Sequence, residues 1–170
     1  MQRWHSWKGW IKEPDMRIGK KIICFFLVLL CITAACATES GKTEGDSDMK
    51  ITINITSGSG NHTLTATLAD NSSAKAFAEL LSKGPVTVDM QDYGNFEKVG
   101  DLPSSLPRND TSITTEPGDI ILYQGNKITI YYNTNSWSFT RLGKVEGVTP
   151  AELKKILGKG NVTAVFELAK

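Results

Sequence analysis

Apolar and polar residues alternate along several short stretches of the chain. From Met49 to Ile55 every second residue is apolar, with lysine, threonine and asparagine between them. A period of two is typical of a β-strand with one buried face. The Gly-Ser run SGSGN leads to a second alternating stretch from Leu64 to Leu68, so the two predict a hairpin. We interpret His62, which follows this run in the stretch SGSGNHT, as a solvated turn residue.

Alternation also predicts strands at Val86 to Met90 and Val162 to Leu168. The strongly β-prone runs Ile120 to Tyr123 and Ile128 to Tyr132 predict two more, and Ser136 to Val145 is a further strand candidate. Between Tyr93 and Asp119 the alternation is lost, which predicts a long irregular region of a kind that is often functional. A short strand at 96–99 is an alternative there. Pro117-Gly118 predicts a type II turn, and Gln124-Gly125-Asn126 indicates a hairpin.

Two helices are predicted by their periodicity and their caps. Asp70, Asn71 and Ser72 offer capping oxygens before an apolar stripe at helical spacing, which ends at Gly84-Pro85. Near the C-terminus, Thr149 and Glu152 form a capping box around Pro150, and Gly158 ends that helix. With about seven or eight strands, these elements favour a mainly β fold, a closed barrel with helices covering its ends, over a doubly wound sheet.

A different pattern precedes the domain. A basic cluster that ends at Lys21 is followed by the apolar run IICFFLVLLCITAAC, whose last residue is Cys36. This is the layout of a bacterial lipoprotein signal peptide. The alternative is a transmembrane helix, but that needs about 20 apolar residues, and this run gives way to polar ATESGKTEGDSD. We therefore expect lipidation of Cys36 and an extracytoplasmic protein in the cell envelope, anchored to a membrane by lipid.

These segments define the expected domain organisation. Residues 1–35 form the signal peptide, and the self-sufficient start MRIGKK indicates that translation begins at Met16. Residues 36–48 are rich in Ser, Gly, Thr and acids, which is typical of a flexible tether. Residues 49–170 are long enough for one domain with a single core.

Composition excludes several classes of function for this domain. Cys24 and Cys31 lie in the signal peptide and Cys36 would carry lipid, so neither a disulfide nor a cysteine metal site is expected. His62 has no matching nucleophile or metal ligand, and we expect no metal and no cofactor. From Met49 onward, basic and acidic residues are equal in number, so no basic patch for nucleic acid is predicted.

Three phrases carry a family resemblance. They are FEKVGDLPSSLPRND, TTEPGDIILYQGN and YYNTNSWSFTRLGKV. They resemble the prokaryotic cyclophilin-like domain family, over about residues 49–168. The resemblance implies an eight-stranded barrel closed by two helices, in a family that mostly lacks an assigned activity.

Cyclophilins themselves catalyse rotation about X-Pro bonds with an arginine in a phrase like FHR followed by valine. The similar phrase here places Glu97 at the histidine and Lys98 at the arginine. A planar guanidinium donates several directed hydrogen bonds, whereas lysine is a mobile point charge. Trp137, in NTNSWSF, stands where cyclophilins have a glutamine. Both departures argue against assuming isomerase activity.

The candidate ligand-binding residues fall into two groups. In the predicted strand from residue 136, alternation puts Trp137, Phe139 and Arg141 on one face, where they could hold a peptide or a small acidic ligand. The alternative is that both aromatics are core and Arg141 pairs with an acid such as Glu97. The second group contains Tyr132, a strand residue that we prefer to its neighbour Tyr131 for the pocket. Its other members are side chains of the irregular region, which could equally be solvated: Tyr93, Phe96, Glu97, Lys98 and Arg108.

The sequence thus predicts a lipid-anchored cyclophilin-like barrel that binds a peptide or small molecule without catalysis. A peptidyl-prolyl cis-trans isomerase is the alternative, and a structural envelope module without a ligand is the second.

Overall fold

The computed structural model describes residues 48–170. The predictions for the signal peptide, Met16, Cys36 and nearly all of the tether lie outside the described residues. The described part has nine strands and two helices: β1 Lys50–Ser57, β2 Gly60–Leu68, α1 Ser72–Ser82, β3 Val86–Tyr93, β4 Glu97–Asp101, β5 Thr111–Thr114, β6 Asp119–Tyr123, β7 Lys127–Tyr131, β8 Ser136–Glu146, α2 Pro150–Leu157 and β9 Val162–Leu168.

Eight of these strands form a closed ring. Their order is β2-β1-β9-β3-β4-β7-β6-β8, and β8 pairs with β2 to close the circle. Closure requires a tight approach at Gly143, where a Cβ atom would lie 2.5 Å from the Thr67 carbonyl oxygen. The ninth strand, β5, lies outside the ring and pairs only with the first part of β8. The predicted barrel of about eight strands with two helices is confirmed.

Alternation along the strands divides the apolar residues between two faces. The main core lies on the inner face of the ring and includes Ile51, Ile53, Ile120, Leu122 and Phe166. Helix α1 packs onto it, with the Phe77 ring edge-on to Phe166 at 5.8 Å between centroids. A second, smaller cluster of Ile121, Tyr131 and Phe139 lies apart from this core, against Phe96, Ile113 and Tyr123. Because Ile120 and Leu122 point inward, Ile121 and its neighbours occupy the outer face of the ring.

The predicted helix caps are present. The Asn71 side chain accepts a hydrogen bond from the Ala74 backbone N–H and caps α1. Thr149 and Glu152 form the predicted capping box of α2, with Pro150 at its first position. These side chains satisfy backbone donors that have no partner within the helix.

The region between Tyr93 and Asp119 is more ordered than its pattern indicates. It contains β4, which corresponds to the alternative short strand, and β5, which was not predicted. The β5 sequence TSIT is polar and mostly exposed, so it lacks the alternation by which a half-buried strand is recognised. The interpretation of His62 as a turn residue is wrong, because His62 lies within β2 opposite Ile55 and the turn comes earlier, at residues 58–59.

Candidate functional site

A cleft of about 460 Å³ lies on the outer face of the ring. Strands β3, β4, β6, β7 and β8 supply nearly all of its lining, and their outward-pointing residues at alternate positions face it. The lining residues are Asp89, Gln91, Tyr93, Glu97, Val99, Gly100, Asp101, Tyr123, Lys127, Tyr131, Asn135, Trp137 and Phe139. The volume suits a small molecule or a short stretch of peptide.

Aromatic rings form much of the cleft wall. Tyr131 is tilted against Phe139 with centroids 5.8 Å apart, and Phe96 stacks on Tyr131 at 6.0 Å. Tyr123 meets Phe139 edge-on at 6.2 Å. Two rings of the cleft remain largely in solvent, since Tyr93 is 61% exposed and Trp137 is 63% exposed. Exposed aromatic rings beside a packed aromatic base offer contact area to a ligand at little cost in conformational entropy.

Glu97 places a carboxyl group in this aromatic setting. Glu97 is only 8% exposed, and its Oε2 atom has no hydrogen-bond partner among the described residues. Burial raises the pKa of Glu97 above its ordinary value, and the neighbouring Tyr131 hydroxyl offsets part of that rise. Burial, followed by the proximity of the Glu97 carboxyl, raises the pKa of Tyr131. A buried polar atom without a partner is uncommon and is a marker of functional sites.

Several other polar side chains of the cleft have partners among the described residues. Lys127 Nζ lies 2.5 Å from Asp101 Oδ1. Asp89 Oδ1 accepts a hydrogen bond of 2.8 Å from the Thr163 hydroxyl. Asn135 Nδ2 donates to the Tyr131 hydroxyl at 3.5 Å. The lysine that lines the cleft is therefore engaged, whereas Glu97 leaves one buried carboxyl oxygen, Oε2, without a partner in the described residues.

The predicted site residues divide between the cleft and other places. Tyr93, Glu97, Trp137 and Phe139 line the cleft, and Phe96 packs behind it. The structure brings these five residues together from the two predicted groups. It places the other four elsewhere, namely Lys98, Arg108, Tyr132 and Arg141, each in contact with an acidic partner described below.

Lys98 and Tyr132 belong to a polar network on the opposite face of the strands. Lys98 is 0% exposed, and its ammonium lies 2.6 Å from Asp92 Oδ2 and donates to the carbonyl oxygens of Gly158 and Gly160 at 3.1 and 2.7 Å. The Tyr132 hydroxyl donates to Asp92 at 2.7 Å. Although partial burial acts to raise the pKa of Asp92, the hydrogen bonds from Lys98 and Tyr132 bring it below its ordinary value. Lys98 is thus not available in the cleft, because it follows Glu97 directly on a strand.

The two arginines of the domain are also engaged with acids. Arg141 lies 3.0 Å from Asp119 Oδ2, and Arg108 donates through Nε to Asp110 at 2.9 Å. The pairing of β6 with β8 shifts register between Ile120 and Ile121, beside Arg141. The shift falls after Arg141, whose partner Ile121 belongs to the outer cluster, so Arg141 keeps the outer face but lies outside the lining of the cleft. Arg141 does pair with an acid, but the partner is Asp119 rather than Glu97.

Several lining residues were missed from the sequence. Tyr131, not Tyr132, faces the cleft, and the pattern contains the signal: Tyr132 is in register with Ile128 and Ile130, which belong to the main core. Tyr123, Lys127 and Asn135 reach the cleft from β6, β7 and the β7–β8 connection. Their place depends on strand order, which alternation does not report.

The described residues contain no group of three or more His, Cys, Asp or Glu side chains placed to hold a metal ion. None of the helices in that part of the chain combines the length and apolar character needed to cross a membrane.

Two solved structures are similar to this chain. One is the solution structure of the hypothetical protein AF2241 from Archaeoglobus fulgidus, with 17% identity, a TM-score of 0.49, and coverage of 74% of this chain and 99% of that one. The other is McbB in complex with tryptophan, with 17% identity, a TM-score of 0.48, and coverage of 69% of this chain and 44% of that one. No curated protein matches the chain significantly.

The sequence profile of the cyclophilin-like family matches residues 58–167. The match covers well over half of the chain and runs from the β1–β2 turn into β9, so it includes every strand that lines the cleft. The chain therefore belongs to the cyclophilin-like family.

Proposed function

We propose that the protein is a lipid-anchored, extracytoplasmic member of this family whose outer cleft binds a peptide or a small molecule without catalysis. The observation that carries the binding function is the Glu97 carboxyl, which is buried in an aromatic cleft and whose Oε2 atom has no hydrogen-bond partner in the described residues. Such a group costs stability unless a partner supplies the missing interaction. A ligand in the cleft would supply it.

Binding is favoured over prolyl isomerisation by the position of the basic side chains. Lys98, which the resemblance aligns with the cyclophilin arginine, is buried and bonded away from the cleft. No arginine of residues 48–170 lines the cleft, and Lys127 there is paired with Asp101. Exchange of a proline-containing peptide, measured with and without the protein, tests this choice. Equal rates are expected, and acceleration by the protein would favour the isomerase.

The binding function is tested by removing the exposed wall of the cleft. Full-length protein is screened by thermal shift against short peptides and small amines, and the screen is repeated with Trp137→Ala. Stabilisation by bound ligand should disappear in that variant. Met49→Ala is the matched control, since Met49 is also a large exposed apolar residue but does not line the cleft. Equal stabilisation of wild type and Trp137→Ala would contradict the proposed site.

The anchoring part of the proposal depends on the sequence before the described residues. The apolar run that ends at Cys36 and the polar stretch behind it support it. Acyl chains stabilise membrane attachment by about 0.8 kcal/mol per buried methylene, so two or more chains suffice for a stable anchor. A radiolabelled fatty acid should label the wild type and spare Cys36→Ser. Equal labelling of the two proteins would contradict lipidation.

A further inference from the structure

The charge of the outer cleft indicates what kind of ligand it takes. Three acidic residues line it, Asp89, Glu97 and Asp101, against a single basic residue, Lys127. Lys127 is neutralised by Asp101 at 2.5 Å, which leaves Asp89 and Glu97 without an ionic partner among the described residues. The cleft therefore carries an excess of negative charge, which favours a cation and disfavours an anion.

The position of the Glu97 carboxyl indicates which kind of cation the cleft prefers. An exposed carboxylate is satisfied by water, but Glu97 is only 8% exposed and its Oε2 atom has no partner in residues 48–170. A hydrogen-bond donor that carries positive charge is the group that best compensates a desolvated carboxylate. An ammonium group does so with a compact charge.

The exposed rings of the cleft fit the same ligand. Tyr93 and Trp137 both line the cleft and present ring surface to solvent. Aromatic faces attract cations, most strongly at tryptophan and where water is excluded. Tyr93 is held in place by its edge-on contact with Phe96, with centroids 5.7 Å apart. The rings can also contact an apolar part of the ligand beside its charge.

We infer that the cleft recognises a ligand through a protonated amine, with the Glu97 carboxylate as its counter-ion and the rings of Tyr93 and Trp137 in contact with the amine-bearing group. This inference rests on the proposed binding function and narrows it to a chemical class. The amine can belong to a lysine side chain of a peptide or to a free small molecule.

The test uses the full-length protein in a neutral detergent and probes that differ chiefly in charge. The first three are acetyl-Ala-Phe-Xaa-Ala-amide peptides in which Xaa is lysine, norleucine or glutamate. Norleucine keeps the four-carbon chain of lysine without its charge. Phenethylamine and 2-phenylethanol form the second, small-molecule arm. Dissociation constants are measured by equilibrium dialysis for the wild type, Glu97→Gln and Glu79→Gln. Glu79 is an exposed glutamate on α1 outside the cleft.

The lysine peptide should bind wild type more tightly than the norleucine peptide by roughly tenfold to hundredfold, the equivalent of one charge-assisted hydrogen bond. The glutamate peptide should bind most weakly. Glu97→Gln should remove the preference for lysine, and Glu79→Gln should keep it. If phenethylamine also binds more tightly than 2-phenylethanol, a free amine is sufficient for recognition. If only the peptides show a preference for the amine, the ligand is a peptide.

The other outcomes separate this inference from the proposed function. Equal binding of the three peptides, or tighter binding of the glutamate peptide, would overturn the inferred recognition of an amine, while the proposed binding function of the cleft would stand. A lysine preference that persists in Glu97→Gln would overturn the role of Glu97. No binding of any probe would overturn both proposals. The ranking of the peptides on wild type needs no variant, so it decides whether the cleft prefers an amine even if Glu97→Gln fails to fold.

Discussion

Glu97 and Lys98 are adjacent on β4, both buried and both ionisable, yet their surroundings are opposite. Lys98 points inward, and its ammonium donates hydrogen bonds to three oxygen atoms. Glu97 points outward to the cleft, where its Oε2 atom has no partner in the described chain. Burial alone therefore does not distinguish a structural charge from a functional one. The distinction lies in whether the protein satisfies the charge itself.

The inner network explains why Lys98 is structural. Its ammonium joins Asp92 on β3 to the segment between α2 and β9, which are distant in sequence. The Tyr132 ring lies beside it, 5.5 Å from Nζ to the ring centroid, and the Tyr132 hydroxyl binds the same carboxylate. Such a network contributes to holding the ring and α2 together. Glu97 has no comparable network, because the Tyr131 hydroxyl interacts with its carboxyl but the Oε2 atom is left without a partner in the described residues.

The largest effect is expected from breaking the inner network. Lys98→Met should lower the free energy of unfolding by about 3 kcal/mol, because Asp92 and two carbonyl groups lose their shared donor. Chemical denaturation measures the change. Lys83→Met, at an exposed lysine, is the matched control and should have little effect. If Lys98→Met is as stable as wild type, the network is not structural and the comparison with Glu97 fails.

A smaller effect of opposite sign is expected at Glu97. Glu97→Gln keeps the shape of the side chain and removes a buried charge, so the free energy of unfolding should be unchanged or rise by no more than about 1 kcal/mol near neutral pH. A clear loss of stability at neutral pH would show that the carboxylate is satisfied within the protein.

The pH dependence sharpens this prediction. Burial raises the pKa of Glu97 above its ordinary value of 4.5, so ionisation destabilises the fold progressively as pH rises through the interval between the unfolded and folded pKa values. The advantage of Glu97→Gln should therefore be present at neutral pH and vanish as pH falls below 4.5. Asp92 has the opposite sign, since its pKa is lowered and its stabilisation is lost only as pH falls below its ordinary value of 3.8. Denaturation of both proteins at several pH values measures the difference.

The smallest effect is expected from Arg141→Ala. Its guanidinium is partly exposed, and Asp119 keeps Lys144 at 3.0 Å, so the loss of stability should stay below about 1 kcal/mol. Affinity for any ligand of the cleft should not change, because Arg141 does not line it. A large loss of ligand affinity in a folded Arg141→Ala protein would show that Arg141 belongs to the binding site together with Trp137, as the sequence pattern predicted.

The fold could be predicted from local sequence patterns, whereas the site could be predicted only in part. Strand alternation and the caps at Asn71 and Thr149 depend on neighbouring residues, so they could be predicted from the sequence. The burial of Lys98 could not, because its carbonyl partners lie 60 and 62 residues away. Arg141 lies outside the cleft because its guanidinium is bonded to Asp119, 22 residues away in sequence, a contact that alternation does not report. Glu97 was among the predicted residues, but its lack of a partner depends on the strand order around the cleft.

The most direct test is to measure the pKa of the Glu97 carboxyl itself, by carbon-detected NMR of protein labelled at glutamate side chains, with Glu97→Gln used to assign the signal. In the free protein the pKa should lie above 4.5. Adding the lysine peptide at saturation should lower it, because the ammonium stabilises the ionised form, whereas the norleucine peptide should not. A pKa at or below 4.5 in the free protein, unchanged by the lysine peptide, would contradict the account.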